Sequence, residues 1–471
     1  MQSNHGNPIA TEQRMMFDDL AWERSDNIAY NWRDNLFNEE IFREVGRAII
    51  QHRGGSPEEL FNPQKGSFNL MFRMKFVDGG SAIVRFPIPG VSMFAEEKVQ
   101  REVSVMKFIE RHTSIRIPHV LHHGMADDSP AKLGPFIVME YIENDSDLVD
   151  ALNTPGLQDD ERCILDPNIH ENRLRLVYSN MADVLLQLAK KSFAKIGSIT
   201  NREDDDYDDE WTVTHRPLTI NMNELVQLGD FPPHLLPQTT FNTASAYFLA
   251  LAEMHMTHLS VQRNDAIESA QDCRRKYIAR CLFRKLAREN RLCSHDYGPF
   301  KLICDDFRPA NVLADSEHGF KAVGVIDWEF TYAAPAEFVY SPPFWLLLER
   351  PEYWNEGLDE WTKEYEKRFP VFLAELQKRE QDLITRGILT DDDRLSQHML
   401  ESWQSGDFWV CYAVRRSWAF DMLYWAKIDR RFFGHGDLDD RFNLLTVEER
   451  DELDDFVQRK LAEKDERTLV N

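Results

Sequence analysis

The stretch that most restricts the fold is 301–330, KLICDDFRPANVLADSEHGFKAVGVIDWEF. A short apolar run, Leu302-Ile303, enters a polar loop that holds Asp306 and, five residues on, Asn311. A second run, Val312-Leu313, follows the loop. A turn at Ser316 to Gly319 leads to a third run, Ala322 to Ile326, which delivers Asp327. Runs this short between turn residues read as strands. Two carboxylates and one amide then converge from the ends of neighbouring strands, the arrangement that Mg²⁺-dependent phosphoryl transfer requires. Mg²⁺ takes hard oxygen ligands and keeps several waters, so one carboxylate and one amide suffice beside phosphates, and Asp327 and Asn311 suit that task. Asp306, displaced along the loop, can accept the proton of an attacking hydroxyl. A D-x₄-N pattern alone carries little; flanked by apolar strands and followed by strand-Asp-Trp, it is specific.

The rest of the chain divides around this segment. Residues 1–35 are polar and are expected as a loosely held N-terminal arm. Apolar residues at helical spacing (Leu36, Ile41, Phe42, Val45, Ile49) predict a helix over 36–53. In NLMFRMKFV, Leu70, Phe72, Met74 and Phe76 alternate with Met71, Arg73 and Lys75, a strand with one strongly apolar face. Asp78-Gly79-Gly80 supplies a turn into a partner strand, Ser81 to Phe86. Val99, Val103 and Met106 mark the apolar face of a helix over 95–112, and PFIVMEYI (135–142) is a further strand. From 143 the pattern is mainly helical, with clear periods at 171–195 and 244–262 and a tryptophan-rich tail. The predicted architecture is α+β and two-lobed, with an antiparallel-sheet lobe over 36–142 and a mainly helical lobe over 143–471 that carries the catalytic and metal-binding loops at 304–329.

These motifs resemble the aminoglycoside phosphotransferase family, the choline/aminoglycoside kinase-like group within the protein-kinase-like fold, whose loop reads H-G-D-x-x-x-x-N and whose metal strand ends in I-D-W/F-E. The wording C-D-D-F-R-P-A-N-V-L is similar to fungal members of the group. The resemblance covers roughly 60–350 and implies an ATP- and Mg²⁺-dependent transfer of the γ-phosphate to a hydroxyl of a small molecule. It places Asp306 on the catalytic aspartate and Asn311 and Asp327 on the metal ligands. Cys304 stands where the family has His, and Asp305 where it has Gly. That His braces the loop against the metal segment, so its replacement bears on the bracing rather than on the base or the metal. Asp305 would be the substitute base if Asp306 were not the one, and Cys304 reads as a buried strand-end thiol. His435-Gly436-Asp437 spells the family's first three letters, but Asn443 comes one residue too late and no strand precedes it.

The first lobe adds support. A kinase needs a cation on its third strand, paired to a helix carboxylate, to hold the α/β-phosphates. Ala82-Ile83-Val84-Arg85 has the shape of V-A-I-K, with Arg85 for Lys. Glu102 borders the buried face of its helix and can point toward Arg85, while Ile83, on the same strand face, can roof the adenine. Gly66 and Ser67 form the candidate phosphate-covering turn, although G-x-G-x-x-G is absent. The resemblance implies that the backbone of Glu140 and Ile142 meets adenine, and that Trp328 and Glu329 line the acceptor side. The other tail tryptophans read as core packing.

Composition narrows the partners. Lys and Arg number 55 against 80 Asp and Glu, a net charge of −25, which excludes nucleic acid and an anionic membrane surface as main partners and tilts the acceptor weakly toward amines. Part of the acid lies in NREDDDYDDEW (201–211), expected as a solvated insertion. Six cysteines without C-x-x-C spacing read as reduced thiols, and no signal peptide or membrane span is visible, so a cytoplasmic location is expected. Two rivals stand beside the kinase reading. One is a pseudokinase or other binding protein, motivated by Cys304-Asp305 and Arg85. The other is a protein kinase, disfavoured because D-F-G, A-P-E and H-R-D are absent.

Overall fold

Alternation in β3 (Asn69–Phe76) and β4 (Ser81–Pro87) decides where the first lobe keeps its core. Leu70, Phe72, Met74 and Phe76 of β3 and Val84 and Phe86 of β4 are buried together against Val45 and Ile49 of helix α2 (Glu39–Arg53). The opposite face carries Ile83, Ile137 and Met139 onto Val99, Val103 and Met106 of helix α3 (Ala95–His112), and these join the large core that continues through the helical lobe. One sheet thus serves two cores, and its second face looks at the seam between the lobes. The structure, a computed structural model, describes residues 15–157, 161–201 and 210–470. Most of the acidic run at 201–211 lies outside the described residues. The segments flanking it, β9 (Ser198–Asn201) and β10 (Trp211–His215), pair antiparallel.

The first-lobe sheet is wholly antiparallel. Its order is β1 (Pro57–Leu60), β3, β4, β6 (Phe136–Glu140), β5 (Val120–Gly124), with β2 (Gln64–Lys65) on the edge of β3. Arg85 lies opposite Met71 on β3 and Ile137 on β6, which centres its side chain in the sheet. Helix α3 begins with Glu96 and Glu97 and ends with Arg111 and His112, charges that complement its dipole. In the second lobe, helix α4 (Glu171–Ala189) packs along the long helix Leu358–Thr385, and Ala244–Val261 packs on Ala270–Arg288. The expected α+β, two-lobed architecture is the one observed.

The N-terminal expectation needs correction. Residues 19–34 do not form a loose arm but helix α1 (Asp19–Asp34), which packs on the helix Ile220–Gly229 of the second lobe. Asp18 caps it, accepting from the Ala21 backbone at 3.0 Å, and is itself fully buried, accepting from Asn264. Arg24 pairs with Asp230 at 2.7 Å, and Ser25 donates to the Gly90 carbonyl. Its buried face is built from Ala21, Ser25 and Ala29, small residues that leave little amphipathic signal in the sequence. The tail tryptophans pack in the core as expected: Tyr365 stacks on Trp361 and Trp403 with ring centroids 4.7 and 4.6 Å away. Among the described residues no helix is long and apolar enough to cross a membrane.

Candidate active site

The hairpin that follows the loop of Asp306 does the positioning. In β12 (Val312–Asp315) and β13 (Lys321–Val325), Val312 lies opposite Val325. Ile326 then donates from its backbone to the Asn311 carbonyl at 2.9 Å, so Asn311 and Asp327 leave the ends of the hairpin side by side. Asn311 spends its amide nitrogen on the Asp306 carbonyl at 2.7 Å, which holds the loop closed and leaves the amide oxygen as its donor to a cation. Asp327 adopts a left-handed backbone (φ 66°), uncommon for a non-glycine residue and recurrent at functional sites. Its carboxylate keeps 26% exposure, so a ligand can reach it. Among the described residues no three His, Cys, Asp or Glu side chains form a metal cluster. The donors present, one carboxylate and one amide, fit a hard cation that brings waters and phosphate oxygens with it.

Arg85 reaches across the seam from β4. It forms an ion pair with Glu102 of α3, and its other terminal nitrogen lies 3.2 Å from Asp327 Oδ1. Arg85 is 12% exposed and Glu102 2%. Burial pushes the Glu102 carboxyl up, against the pull of Arg85. Burial and the neighbouring Glu329 carboxylate push Asp327 up as well. Gly66 and Ser67 are exposed at the turn before β3, closed by the Gly66 backbone donating to the Asn69 carbonyl at 2.8 Å. Ile83 is buried on the Arg85 side of the sheet. Glu140 is exposed at the end of β6, its N–H donated to the His119 carbonyl, while Ile142 is buried with its side chain over Gly324, where an added Cβ would lie 2.5 Å from Ile142 Cδ1.

Two expected acceptor-side residues lie elsewhere. Trp328 is buried, its indole N–H donating to the Val325 carbonyl at 3.2 Å, and it packs in the core. Glu329 is sealed from solvent in an ion pair with Lys98 of α3 at 2.5 Å and accepts from Asn69 at 3.0 Å. Lys98 also donates to Asn69 at 2.8 Å and Ser92 at 3.2 Å. These residues lock the metal segment to α3 and to the root of β3. Although burial alone would raise Glu329, Lys98 and Arg85 hold it below the usual carboxylate range. Lys98 and Asn69 escape sequence reasoning. The usable signal was position: Lys98 stands one helical turn before Glu102, on the same stripe of α3.

Cys304, which stands where the resemblance expects His, lies against the backbone of the segment that carries Asp327. Its thiol lies 3.8 Å from the carbonyls of both Asp327 and Glu329, and β11 (Phe300–Cys304) pairs with β14 (Thr331–Ala334), Cys304 opposite Thr331. Burial pushes this thiol far up, so it is no nucleophile. Asp306 is buried, with Arg308 Nε at 3.5 Å and an Arg350 nitrogen at 3.9 Å. Asp305 points away toward Arg415, 3.5 Å off, and burial raises its carboxyl. Asp437 of the His-Gly-Asp decoy only caps the short helix Leu438–Phe442.

A family model described as the phosphotransferase enzyme family matches residues 63–338, more than half of the chain. No curated protein matches the sequence. Among solved structures the chain is similar to an ethanolamine kinase from Plasmodium vivax (11% identity, 94% of each chain covered, TM-score 0.42). It is also similar to the amicoumacin kinase hAmiN in complex with AMP-PNP and Ca²⁺ (11%, 92% of this chain and 95% of that one, TM-score 0.40). A third is a macrolide 2′-phosphotransferase from Brachybacterium faecium (12%, 85% and 100%, TM-score 0.36). The family match spans the seam-facing sheet, the loop of Asp306 and Asn311, and the strand that ends at Asp327, and the chain belongs to the phosphotransferase enzyme family, with its two-lobed kinase-like fold.

Proposed function

We propose that the chain is an ATP- and Mg²⁺-dependent kinase that moves the γ-phosphate of ATP to a hydroxyl of a small molecule. The observation that carries this reading is the meeting of Asp306, Asn311 and Asp327 with the Arg85–Glu102 pair at one seam. Residues 36–142 serve as the nucleotide-binding lobe, and 143–471 hold the acceptor side. Arg85, fixed by Glu102, pairs with the α/β-phosphates, and the turn at Gly66 and Ser67 covers them with backbone N–H groups. Ile83 and the backbone of Glu140 and Ile142 frame the adenine. Asn311 and Asp327 would hold Mg²⁺, which when bound supplies neutralisation of phosphate charge.

Asp306 accepts the acceptor's hydroxyl proton as the new O–P bond forms and the bond from the γ-phosphorus to the ADP oxygen breaks. Arg308, beside it, offsets negative charge on the phosphoryl group in transit. Six cysteines free of disulfides fit the reducing cytoplasm. The test is a screen of hydroxyl acceptors for ADP release, with mass detection of the product, run on the wild type and Asp327→Ala. Activity retained in full by the variant would refute the assignment. One observation favours a second reading, nucleotide binding without transfer: Arg85 sits on the carboxylate that the metal needs. Thermal unfolding with ATP, with and without Mg²⁺, separates the two, since stabilisation indifferent to Mg²⁺ supports the second. A protein kinase is disfavoured by the buried strand Thr331–Ala334 directly after the metal segment, where an activation loop would have to start.

A further inference from the structure

The loop that carries Asp306 borders a cavity in the helical lobe whose walls are aromatic: Phe338, Phe344, Trp345, Phe408 and Tyr412. Charge enters it unevenly. Arg350, Arg415 and Arg416 line it against a single lining carboxylate, Asp305. Two of the three cations are matched. Arg415 faces Asp305 at 3.5 Å, and Arg416 faces Glu224 at 3.4 Å and Glu352 at 3.6 Å. Arg350 is not matched in this way. Its guanidinium stacks on Phe344, 5.0 Å from the ring centre, and the carboxylate it approaches is Asp306, at 3.9 Å. Arg308 approaches the same carboxylate at 3.5 Å. Asp306 is thus approached by both guanidinium groups, and neither holds it at hydrogen-bond distance.

We infer that the acceptor is a hydroxy acid: an apolar body seated among these aromatic rings, a hydroxyl presented to Asp306, and a carboxylate paired with Arg350. The inference rests on the phosphotransferase reading above and names its substrate class. The planar fork of Arg350 matches a carboxylate through two parallel hydrogen bonds. An ammonium in the same place would face the Arg350 guanidinium, a like charge. The net charge of −25 does not reverse this, because charges on the outer surface are screened beyond about 8 Å at physiological salt, whereas Arg308 and Arg350 act at contact distance. The amine preference drawn from net charge thus gives way to the local field.

The experiment uses the full chain with Mg²⁺ and ATP and a matched trio of probes: para-hydroxymethyl-phenylacetate, its carboxamide, and para-hydroxymethyl-phenethylamine. Calorimetric binding and ADP release are read for each. The carboxylate is expected to bind at least about ten-fold more tightly than the amine and to give the fastest ADP release. Arg350→Gln is expected to bring the carboxylate-to-carboxamide ratio close to one, and Arg350→Lys to keep a preference for the carboxylate. An equal or reversed order, no binding by any probe, or a ratio untouched in Arg350→Gln overturns the inference. Mg²⁺-dependent stabilisation by ATP, measured on the same samples without probes, reports on the phosphotransferase reading alone. If that stabilisation is present and the carboxylate preference absent, only the acceptor class has failed.

Discussion

Replacing Lys98 by Met is expected to be among the most costly single changes at the seam, although Lys98 touches no substrate. Its ammonium lies 2.5 Å from Glu329, and both side chains are 1% exposed. Removing one member of a buried pair typically costs about 3–5 kcal/mol, because the remaining charge stays buried without its partner. In Lys98→Met, Glu329 keeps only the Asn69 amide at 3.0 Å, and its other oxygen has no hydrogen-bond partner, so the upper part of that range applies. In Glu329→Gln, Lys98 retains the Asn69 and Ser92 oxygens, and the cost falls toward about 3 kcal/mol. Removing both charges in Lys98→Met/Glu329→Gln leaves no orphaned ion, so the double variant should be more stable than the sum of the singles by about 2–3 kcal/mol. Urea unfolding followed by tryptophan fluorescence measures the cycle, with the slope compared among variants to check that the transition is unchanged. A second readout tests the link to the site. Asn69 roots the turn proposed to cover the phosphates and Glu329 lies two residues beyond Asp327, so on that reading Lys98→Met should raise KM for ATP as well as lower stability. Single effects that add to within about 0.5 kcal/mol would refute the pairing, and an unchanged KM would refute its link to the nucleotide.

Asp306→Asn should lower kcat by about 10²- to 10⁴-fold, while Asp305→Asn, whose carboxylate faces Arg415, should leave kcat far closer to wild type; steady-state kinetics on both decide which is the base. Arg85→Met should raise KM for ATP and lower stability together, since it orphans buried Glu102, and Arg85→Lys should recover part of both. Stability should fall with acidification below about pH 6.5. Burial and then Arg280 push His255 down to about 3 and His258 well below its usual range. Both are neutral in the fold, whereas the unfolded chain binds protons below about 6.5, so stability is full above that pH and declines toward 3, by roughly 1.4 kcal/mol per pH unit for each histidine. The change in urea midpoint between pH 7 and 5.5 is expected to be less unfavourable in His255→Gln/His258→Gln than in the wild type, the difference reporting the two histidines apart from the buried carboxyls that titrate in the opposite sense.

The grouping of Asp306, Asn311 and Asp327 was legible because it is local in sequence. Asp306, Asn311 and Asp327 are joined by one hairpin, and pairing of Val312 with Val325 is enough to bring them together. Arg85 and Glu102 were legible from two periods, of a strand and of a helix, that each turn one polar group toward a buried face. Lys98 was not, because a lysine four residues before a glutamate reads as a solvated surface pair. What buries it is Asn69 and Glu329, themselves 260 residues apart, and no local pattern encodes that meeting. Trp328 and Glu329 were misread for a related reason. Proximity in sequence to the metal ligand suggested the pocket, but Glu329 is spent on Lys98, and Trp328 faces the core beneath the hairpin. Helix α1 was missed because Ala21, Ser25 and Ala29 pack closely without looking apolar.

The charges at the seam bear on the metal proposed for this site. Arg85 and Lys98 supply two cations; Glu102, Asp327 and Glu329 supply three carboxylates. Lys98 is matched by Glu329 and Arg85 by Glu102, each pair buried, so neither cation is fully available to a nucleotide. Asp327 is the carboxylate in excess, held at 3.2 Å by the second arm of Arg85. A triphosphate brought to this set alone would add several negative charges beside Asp327, whose carboxyl burial and Glu329 already push up, and burial makes such repulsion strong. A divalent cation held by Asp327 and Asn311 would offset that charge, and Arg85 would then be free to turn from Asp327 to the phosphates. On the proposed reading, Arg85 therefore exchanges Asp327 for the phosphates when cation and nucleotide bind together.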